Sequence, residues 1–308
     1  MATNRLYLFV LWATLLAAVA GSQAGCSSPE TVAAGAKAAE TGSADTAGAD
    51  AADAADATAP ADTDPVDSAT TDAAETDADG TQGAAPQRVL FVGNSYTYVN
   101  DLPAMTAAFA AHATPPQTWE VGSSTLGGAF LVDHLTKTDA VAQIAKATWT
   151  WVVLQGQSLE PAGVPASFEK GASQLSTLVH KTPAQLAFYT TWPRKAGSEV
   201  YDQAFSGGTP AALFAKLKAE LELVATQNQG VRVPVGDAWM VALQDQPGIE
   251  LYQADGSHPT VAGTYLAACV FAVRLGGVDA KTVNWQPEGV PAEQGQALRK
   301  ICAEVAGQ

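Results

Sequence analysis

Short apolar runs alternate with longer helical patterns along the chain from about residue 88 onward. The runs at 89–92 and 151–154 are continuously apolar, as expected for strands buried on both faces of a parallel sheet. Five strands are predicted in all, at 89–92, 118–121, 151–154, 186–189 and 231–235.

Helical patterns separate these strands. A helix is predicted at 101–113, where Asp101 is a plausible N-cap and Pro103 stands in the first turn. A Gly-rich turn (Gly122, Gly127, Gly128) and then a helical stretch to about 147 follow the second strand. Later helices are predicted at 166–180, 210–228, 260–275 and 291–306. This order predicts an α/β protein, a three-layer α/β/α sandwich around a five-stranded parallel sheet with flavodoxin-like winding.

The segment before this domain has a different composition. Residues 27–86 carry thirteen acidic residues, one lysine and no aromatic residue. Such a segment cannot bury enough apolar surface to offset the entropy lost on ordering, so 26–86 is predicted to be a disordered acidic linker. The domain at 87–308 has eighteen acidic and fourteen basic residues, so we expect no nucleic-acid partner.

The first 25 residues have the pattern of a signal peptide: Arg5, an apolar stretch at 6–20 and then small residues. The ending before Cys26 resembles a bacterial lipobox, although Gln23 stands where an aliphatic residue is usual. A lipobox implies diacylation of Cys26 and attachment to the cell envelope, at the outer membrane or the periplasmic face. Ordinary secretion with an unmodified Cys26 is the alternative.

Ser95 follows the first predicted strand within the segment 93–97, GNSYT. Gly93 permits a sharp turn that can present the Ser95 hydroxyl and backbone N–H above the sheet, where a nucleophile would lie. A helix N-cap is the alternative interpretation, since Ser and Asn commonly supply one.

A second polar segment, 255–260 (DGSHPT), precedes a predicted helix. Its spacing lets one short loop deliver the carboxylate of Asp255 and the imidazole of His258, and the carboxylate can hold the histidine tautomer. A helix-capping loop would explain Asp255 but not a histidine followed by Pro259.

Two further features could supply donors to an oxyanion. The segment 155–158 (QGQS) ends the third strand, and its side-chain amides could donate hydrogen bonds. The Gly127–Gly128 turn could offer a backbone N–H, with a plain tight turn as the alternative.

These blocks, in this order, resemble the SGNH (GDSL-type) hydrolases across residues 88–275. The resemblance implies that Ser95 is the nucleophile and first oxyanion donor, that His258 is the general base and then the general acid, and that Asp255 orients it. Gly128 or Gly127 would supply the second N–H. The family usually has Asp where Asn94 stands.

The third block lacks the usual Asn, so Gln155 or Gln157 must replace it. Carbohydrate acetylesterase relatives with a Gln-Gly-Glu block favour Gln155, while Gln157 stays open. Asn94, Gly127, His134 and Trp192 are further candidates for the substrate pocket, and Arg194 is a candidate for substrate contact.

The resemblance predicts a monomeric serine esterase that needs no cofactor or metal. It would hydrolyse small acyl esters, with acetyl esters of carbohydrates as the leading substrate. A lipid or short-chain acyl esterase is one alternative, and a catalytically inactive, tethered carbohydrate-binding module is another.

Cys269 and Cys302 are predicted to lie in or near the two C-terminal helices. Export would permit a disulfide between them, but two buried thiols agree equally well with the sequence.

Overall fold

A computed structural model of the chain describes residues 85–146 and 148–307. Its five strands form one parallel sheet in the order β2-β1-β3-β4-β5, which is the flavodoxin-like order. The strands are β1 (Gln87–Gly93), β2 (Trp119–Thr125), β3 (Trp151–Leu154), β4 (Gln185–Tyr189) and β5 (Val231–Val233). The predicted fold class is confirmed. The predicted signal peptide, Cys26 and the linker up to residue 84 lie outside the described residues.

The helices are α1 (Ser95–Tyr98), α2 (Leu102–Ala111), α3 (Ala140–Ala145), α4 (Glu160–Gly163), α5 (Pro165–Val179), α6 (Pro210–Gln227), α7 (Val235–Asp245), α8 (Val261–Gly276) and α9 (Ala292–Ala306). Short 3₁₀ turns lie at Leu131–Leu135, Glu199–Asp202, Ala204–Ser206 and Ala280–Thr282. Within this part of the chain, no helix has the length and apolar character needed to cross a membrane.

Alternate residues of the central strands pack against opposite helical layers. Val89 and Phe91 of β1 face a core that includes buried residues of α2, α7, α8 and α9. Leu90 and Val92 face the other core, which includes buried residues of α3, α5 and α6. The runs 89–92 of β1 and 151–154 of β3 are therefore apolar at every position, because both faces of the sheet are covered there.

Two segments between β1 and β3 differ from the prediction. Gly122 lies inside β2 rather than in a turn, where a Cβ would stand 2.6 Å from the Trp149 ring. The predicted helical stretch to about 147 is divided into a 3₁₀ turn and α3. Thr138 accepts a hydrogen bond from the Ala140 N–H, and such side-chain bonds to the backbone favour the start of a new helix.

The fifth strand is shorter than predicted, and the sequence analysis missed the helix that follows it. The apolar run 231–235 was assigned wholly to a strand, but β5 ends at Val233 and α7 begins at Val235. Pro234 stands at the N-cap of α7, where the missing N–H is tolerated.

Cys269 of α8 and Cys302 of α9 form a disulfide across 33 residues of chain. This decides between the two alternatives that the sequence left open. The bond ties the last helix to the helix that follows the His258 loop.

Candidate active site

Ser95 is the first residue of α1, two residues beyond the end of β1. The N-cap of this helix is Asn94, whose side chain accepts a hydrogen bond from the Tyr96 N–H at 3.1 Å. Since Asn94 supplies the cap, the Ser95 hydroxyl is not needed for that purpose and is free to contact other groups.

The Ser95 hydroxyl contacts the imidazole of His258. The distance from Ser95 Oγ to His258 Nε2 is 2.8 Å, and Nδ1 of the same ring lies 2.5 Å from Asp255 Oδ2. The geometry thus joins the three side chains in one hydrogen-bonded chain, although Ser95 is 163 residues away from His258 in sequence.

The Asp255 carboxylate is held by its own loop. Its Oδ1 accepts hydrogen bonds from the backbone N–H groups of Ser257 and His258, at 2.9 and 3.0 Å. Partial burial raises the pKa of Asp255, but the hydrogen bonds from the His258 ring and these two N–H groups outweigh it and lower the pKa to about 2. Asp255 is therefore ionised at neutral pH and can stabilise a protonated imidazole.

These side chains border a pocket of about 350 Å³ at the carboxyl end of the sheet. The ends of β1 and β3 meet there, at the point where the strand order reverses, which is the usual ligand position in such sheets. The pocket is lined by Asn94, Ser95, Tyr96, Tyr98, Gly127, Gly128, Gln157, Ser158, Arg194, Ser257 and His258.

Gln155, predicted as an oxyanion donor, is fully buried beneath the Ser95 turn. Its Oε1 accepts from the Asn94 N–H at 3.0 Å and from the Thr97 hydroxyl at 2.8 Å, while its Nε2 donates to Asn94 Oδ1 at 2.8 Å and to the Gly156 carbonyl. Gly93 makes this approach possible, since a Cβ there would stand 2.5 Å from Gln155 Oε1. Both the oxygen and the nitrogen of the Gln155 amide are therefore hydrogen-bonded within the protein, and Gln155 does not line the pocket.

The Asn94 amide joins the Ser95 turn to two neighbouring loops. Its Nδ2 donates to the Ala129 carbonyl at 3.2 Å and to the Gly156 carbonyl at 3.4 Å. An ionised Asp has no proton to donate, so the family's usual residue could not make these two bonds. A hydrogen bond between Asn94 and Gln155 joins the first block to the third, the two blocks that depart from the family pattern.

Donors at the pocket that have no acceptor among the described residues include the N–H groups of Ser95, Gly127 and Gly128 and Nε2 of Gln157. Gly128 has a φ of +69°, and nothing lies within 4 Å of where its Cβ would stand. The Oε1 of Gln157 accepts from the Leu159 N–H at 2.7 Å, which holds the side chain in place.

The buried carboxylate of Glu160 connects the loops on either side of these donors. Its Oε2 accepts from the N–H groups of Leu131 and Gln157, both at 3.0 Å. Burial raises the pKa of Glu160, against the opposing effect of these hydrogen bonds. The sequence analysis did not single out this residue.

Two other predicted pocket residues lie elsewhere. His134 is buried in the 3₁₀ turn, with Nδ1 3.1 Å from the Thr138 hydroxyl, and it does not line the pocket. Trp192 is buried behind the pocket wall, where it stacks on Tyr96 with ring centres 4.6 Å apart and on Trp239 at 3.8 Å. Large aromatic side chains favour such packed positions.

The pocket also contains side chains that the sequence analysis did not select, namely Tyr96, Tyr98, Ser158 and Ser257. The hydroxyl of Tyr96 lies 3.0 Å from Ser257 Oγ, and the Trp192 indole N–H donates to the Ser257 carbonyl at 3.0 Å. Tyr96 and Ser257 adjoin Ser95 and His258 in sequence, and that adjacency is the signal that could have identified them.

A flavodoxin-like sheet with a Ser–His–Asp chain at its carboxyl edge defines a class of serine hydrolases. A solved protein from Slackia heliotrinireducens, named as an SGNH hydrolase, is 31% identical, covers 61% of this chain and 98% of its own length, and has a TM-score of 0.51. The chain belongs to the SGNH hydrolases and is an ester-hydrolysing enzyme of that type.

A second solved structure shares the fold. A DUF4886 family protein from Bacteroides uniformis is 17% identical, covers 71% of this chain and 94% of its own length, and has a TM-score of 0.61. No protein-family model and no curated protein matches the chain.

Proposed function

We propose that Ser95, His258 and Asp255 form a catalytic triad that hydrolyses small acyl esters, with acetyl esters of carbohydrates as the preferred class. The observation that carries this proposal is the 2.8 Å contact between Ser95 Oγ and Nε2 of His258. The other ring nitrogen, Nδ1, is held by Asp255. A nucleophile, a base and an orienting group are thus in hydrogen-bond reach of one another.

In the first half of the reaction, Ser95 Oγ attacks the ester carbonyl carbon and His258 Nε2 takes the hydroxyl proton. The tetrahedral intermediate collapses, the bond to the alcohol oxygen breaks, and His258 returns the proton to the leaving alcohol. Water then attacks the acyl-enzyme with the same proton transfers, which releases the carboxylic acid and restores Ser95. Asp255 remains ionised throughout and stabilises the imidazolium.

The negative oxygen of each tetrahedral intermediate needs donors that are already in position. We assign this role to the N–H groups of Ser95 and Gly128 and to Nε2 of Gln157. Support comes from their place at the pocket and from the absence of another acceptor for them among the described residues. Gln155 is excluded because its amide is buried and already bonded.

The size and rim of the pocket support a small acyl group on a polar alcohol. A volume of about 350 Å³ suits an acetyl group with part of its alcohol. Tyr98 is 48% exposed, so its ring offers a flat amphipathic surface at the rim on which a sugar could lie.

The test is hydrolysis of 4-nitrophenyl acetate by the purified chain, beside the variant Ser95→Ala. Ser173→Ala is the matched control, because Ser173 is an exposed serine of α5. The wild type and the control should be equally active, and Ser95→Ala should lose at least 10³-fold in kcat. Equal rates in all three proteins would contradict the triad and favour a non-catalytic carbohydrate-binding role.

Longer acyl chains are the second candidate class, favoured by two exposed apolar side chains. Leu126 and Phe130, 38% and 37% exposed, flank the Gly127–Gly128 turn. Nitrophenyl esters of acetate, butyrate and octanoate separate the classes. We expect kcat/KM to fall with chain length, and a rise toward octanoate would instead assign the enzyme to acyl-chain substrates.

We further propose that the protein is exported and held at the bacterial cell envelope by a lipid on Cys26. The disulfide between Cys269 and Cys302 supports an oxidising compartment, since such bonds are rare in the cytosol. Mass spectrometry of the mature N-terminus should find a diacylated Cys26. An unmodified thiol, or cleavage at another residue, would leave secretion without an anchor.

A further inference from the structure

The pocket contains a guanidinium group that has no carboxylate partner among the described residues. Arg194 lies between β4 and the 3₁₀ turn at 199–202, and it lines the pocket together with Ser95 and His258. None of the described residues that line this pocket is Asp or Glu. By contrast, Arg88 and Arg232 form ion pairs with Glu120 and Asp237.

Two hydroxyl groups hold the Arg194 guanidinium in a defined position. Its Nη1 donates to the Tyr96 hydroxyl, and its Nη2 donates to Ser158 Oγ at 2.9 Å. Tyr96 is in turn fixed by its stack on Trp192. A guanidinium has five N–H groups, so three remain for a ligand.

The position has a consequence for the substrate. A partly buried cation that faces a pocket and is held by neutral hydroxyls keeps its full charge for an incoming group. Guanidinium N–H groups bind carboxylates in a fork geometry, and the charge makes these hydrogen bonds stronger than neutral ones.

We propose that the enzyme acts on esters that also carry a carboxylate, and that Arg194 binds this carboxylate while Ser95 attacks the ester. In a carbohydrate substrate this class is an acylated sugar acid. The proposal rests on the hydrolase function above. The carboxylate could belong to the acyl part or to the alcohol, and matched probes distinguish these two sources.

The acyl-side pair is mono-4-nitrophenyl succinate and its neutral methyl ester, and the alcohol-side pair is 4-acetoxybenzoate and 4-acetoxybenzamide. The wild type should prefer the charged member of one pair. Arg194→Gln should lower kcat/KM for that member about tenfold or more relative to its neutral partner, mainly through KM. Arg194→Lys should restore part of the preference.

Lys195→Gln is the matched control. Lys195 is the adjacent cation, but it is exposed, pairs with Glu250 at 2.5 Å and does not line the pocket. Its loss should leave the charged-to-neutral ratio unchanged. An equal fall for both members of each pair in Arg194→Gln would mean that Arg194 only supports Tyr96, and would overturn the proposal.

The wild type supplies a measurement that does not depend on the folding of a variant. Succinate should inhibit hydrolysis of 4-nitrophenyl acetate competitively, whereas succinamide should inhibit at least tenfold more weakly. Equal inhibition by both would contradict carboxylate binding even though the enzyme is active. Failure of the hydrolase function itself is distinguishable, because neutral esters would then show no Ser95-dependent turnover.

Discussion

At the scale of single residues, the two glutamines of the 155–158 segment have opposite environments. Gln155 is buried and its side chain makes four hydrogen bonds under the Ser95 turn, whereas Gln157 borders the pocket and its Nε2 has no acceptor in the part of the chain that the structure describes. The sequence predicted that one of them donates to the oxyanion but could not choose. The two residues are of one type and are separated by a single Gly, so the sequence does not show which side chain points into the pocket.

This contrast predicts different defects for the two alanine variants. Gln157→Ala should lower kcat about 10²- to 10³-fold and the free energy of unfolding by no more than about 1 kcal/mol, because it removes an oxyanion donor from the pocket and leaves only the Leu159 N–H without its acceptor. Gln155→Ala should lower the free energy of unfolding by about 2–4 kcal/mol, because buried groups around Asn94 lose their partners. Kinetics with 4-nitrophenyl acetate and urea denaturation measure both. A stable, inactive Gln155→Ala would reverse the assignment.

Asp255 gives a second prediction at this scale. Asp255→Asn keeps the size of the side chain but removes the charge that holds the His258 tautomer, so kcat should fall about 10²- to 10⁴-fold. Asp202→Asn, at an exposed position in a 3₁₀ turn, is the control and should retain full activity. A loss of less than about threefold in Asp255→Asn would remove Asp255 from the triad.

At the scale of elements, the site depends on loops that meet only after the sheet has formed. The order of strands and helices predicted that the polar ends of β1 and β3 lie at one edge, and the sheet order agrees. Glu160 was not predicted, because it opens the short helix α4, which has no periodic pattern of its own. Its carboxylate brings the segments of Leu131 and Gln157 together.

The raised pKa of Glu160 predicts a pH dependence of stability. Since its pKa in the folded state is above the ordinary value of 4.5, the folded chain keeps a proton that the unfolded chain has lost. The free energy of unfolding should therefore fall as the pH rises from about 4.5 through the pKa of the folded state. Glu160→Gln, which can still accept both N–H groups on its oxygen, should not show this fall.

Urea denaturation of both proteins at pH 4, 5, 6 and 7 gives the measurement. The stability of the wild type relative to Glu160→Gln should decrease across this series. Glu288→Gln, at an exposed position in the turn before α9, is the control and should follow the wild type. A difference that stays constant, or grows with pH, would contradict a raised pKa.

At the scale of the whole molecule, the fold could be predicted from the buried strands, because runs such as 89–92 are apolar at every position. The helix α7 was missed because its apolar start continues the pattern of β5 across Pro234. The pairing of Cys269 with Cys302 could not be predicted either, since it depends on how α8 packs on α9. Tertiary packing decides such features, and the local pattern of apolar and polar residues holds no information about that packing.

The disulfide gives the last prediction. The double variant Cys269→Ala/Cys302→Ala should lower the free energy of unfolding by about 2–4 kcal/mol, because the bond closes a loop of 33 residues and restricts the unfolded chain. Neither cysteine lines the pocket, so kcat at 25 °C should stay within about twofold of the wild type. Reductant should weaken the wild type to the same extent and leave the double variant unaffected. If removing the bond also abolished activity in a folded protein, the packing of α8 on α9 would control the position of His258, whose loop leads directly into α8.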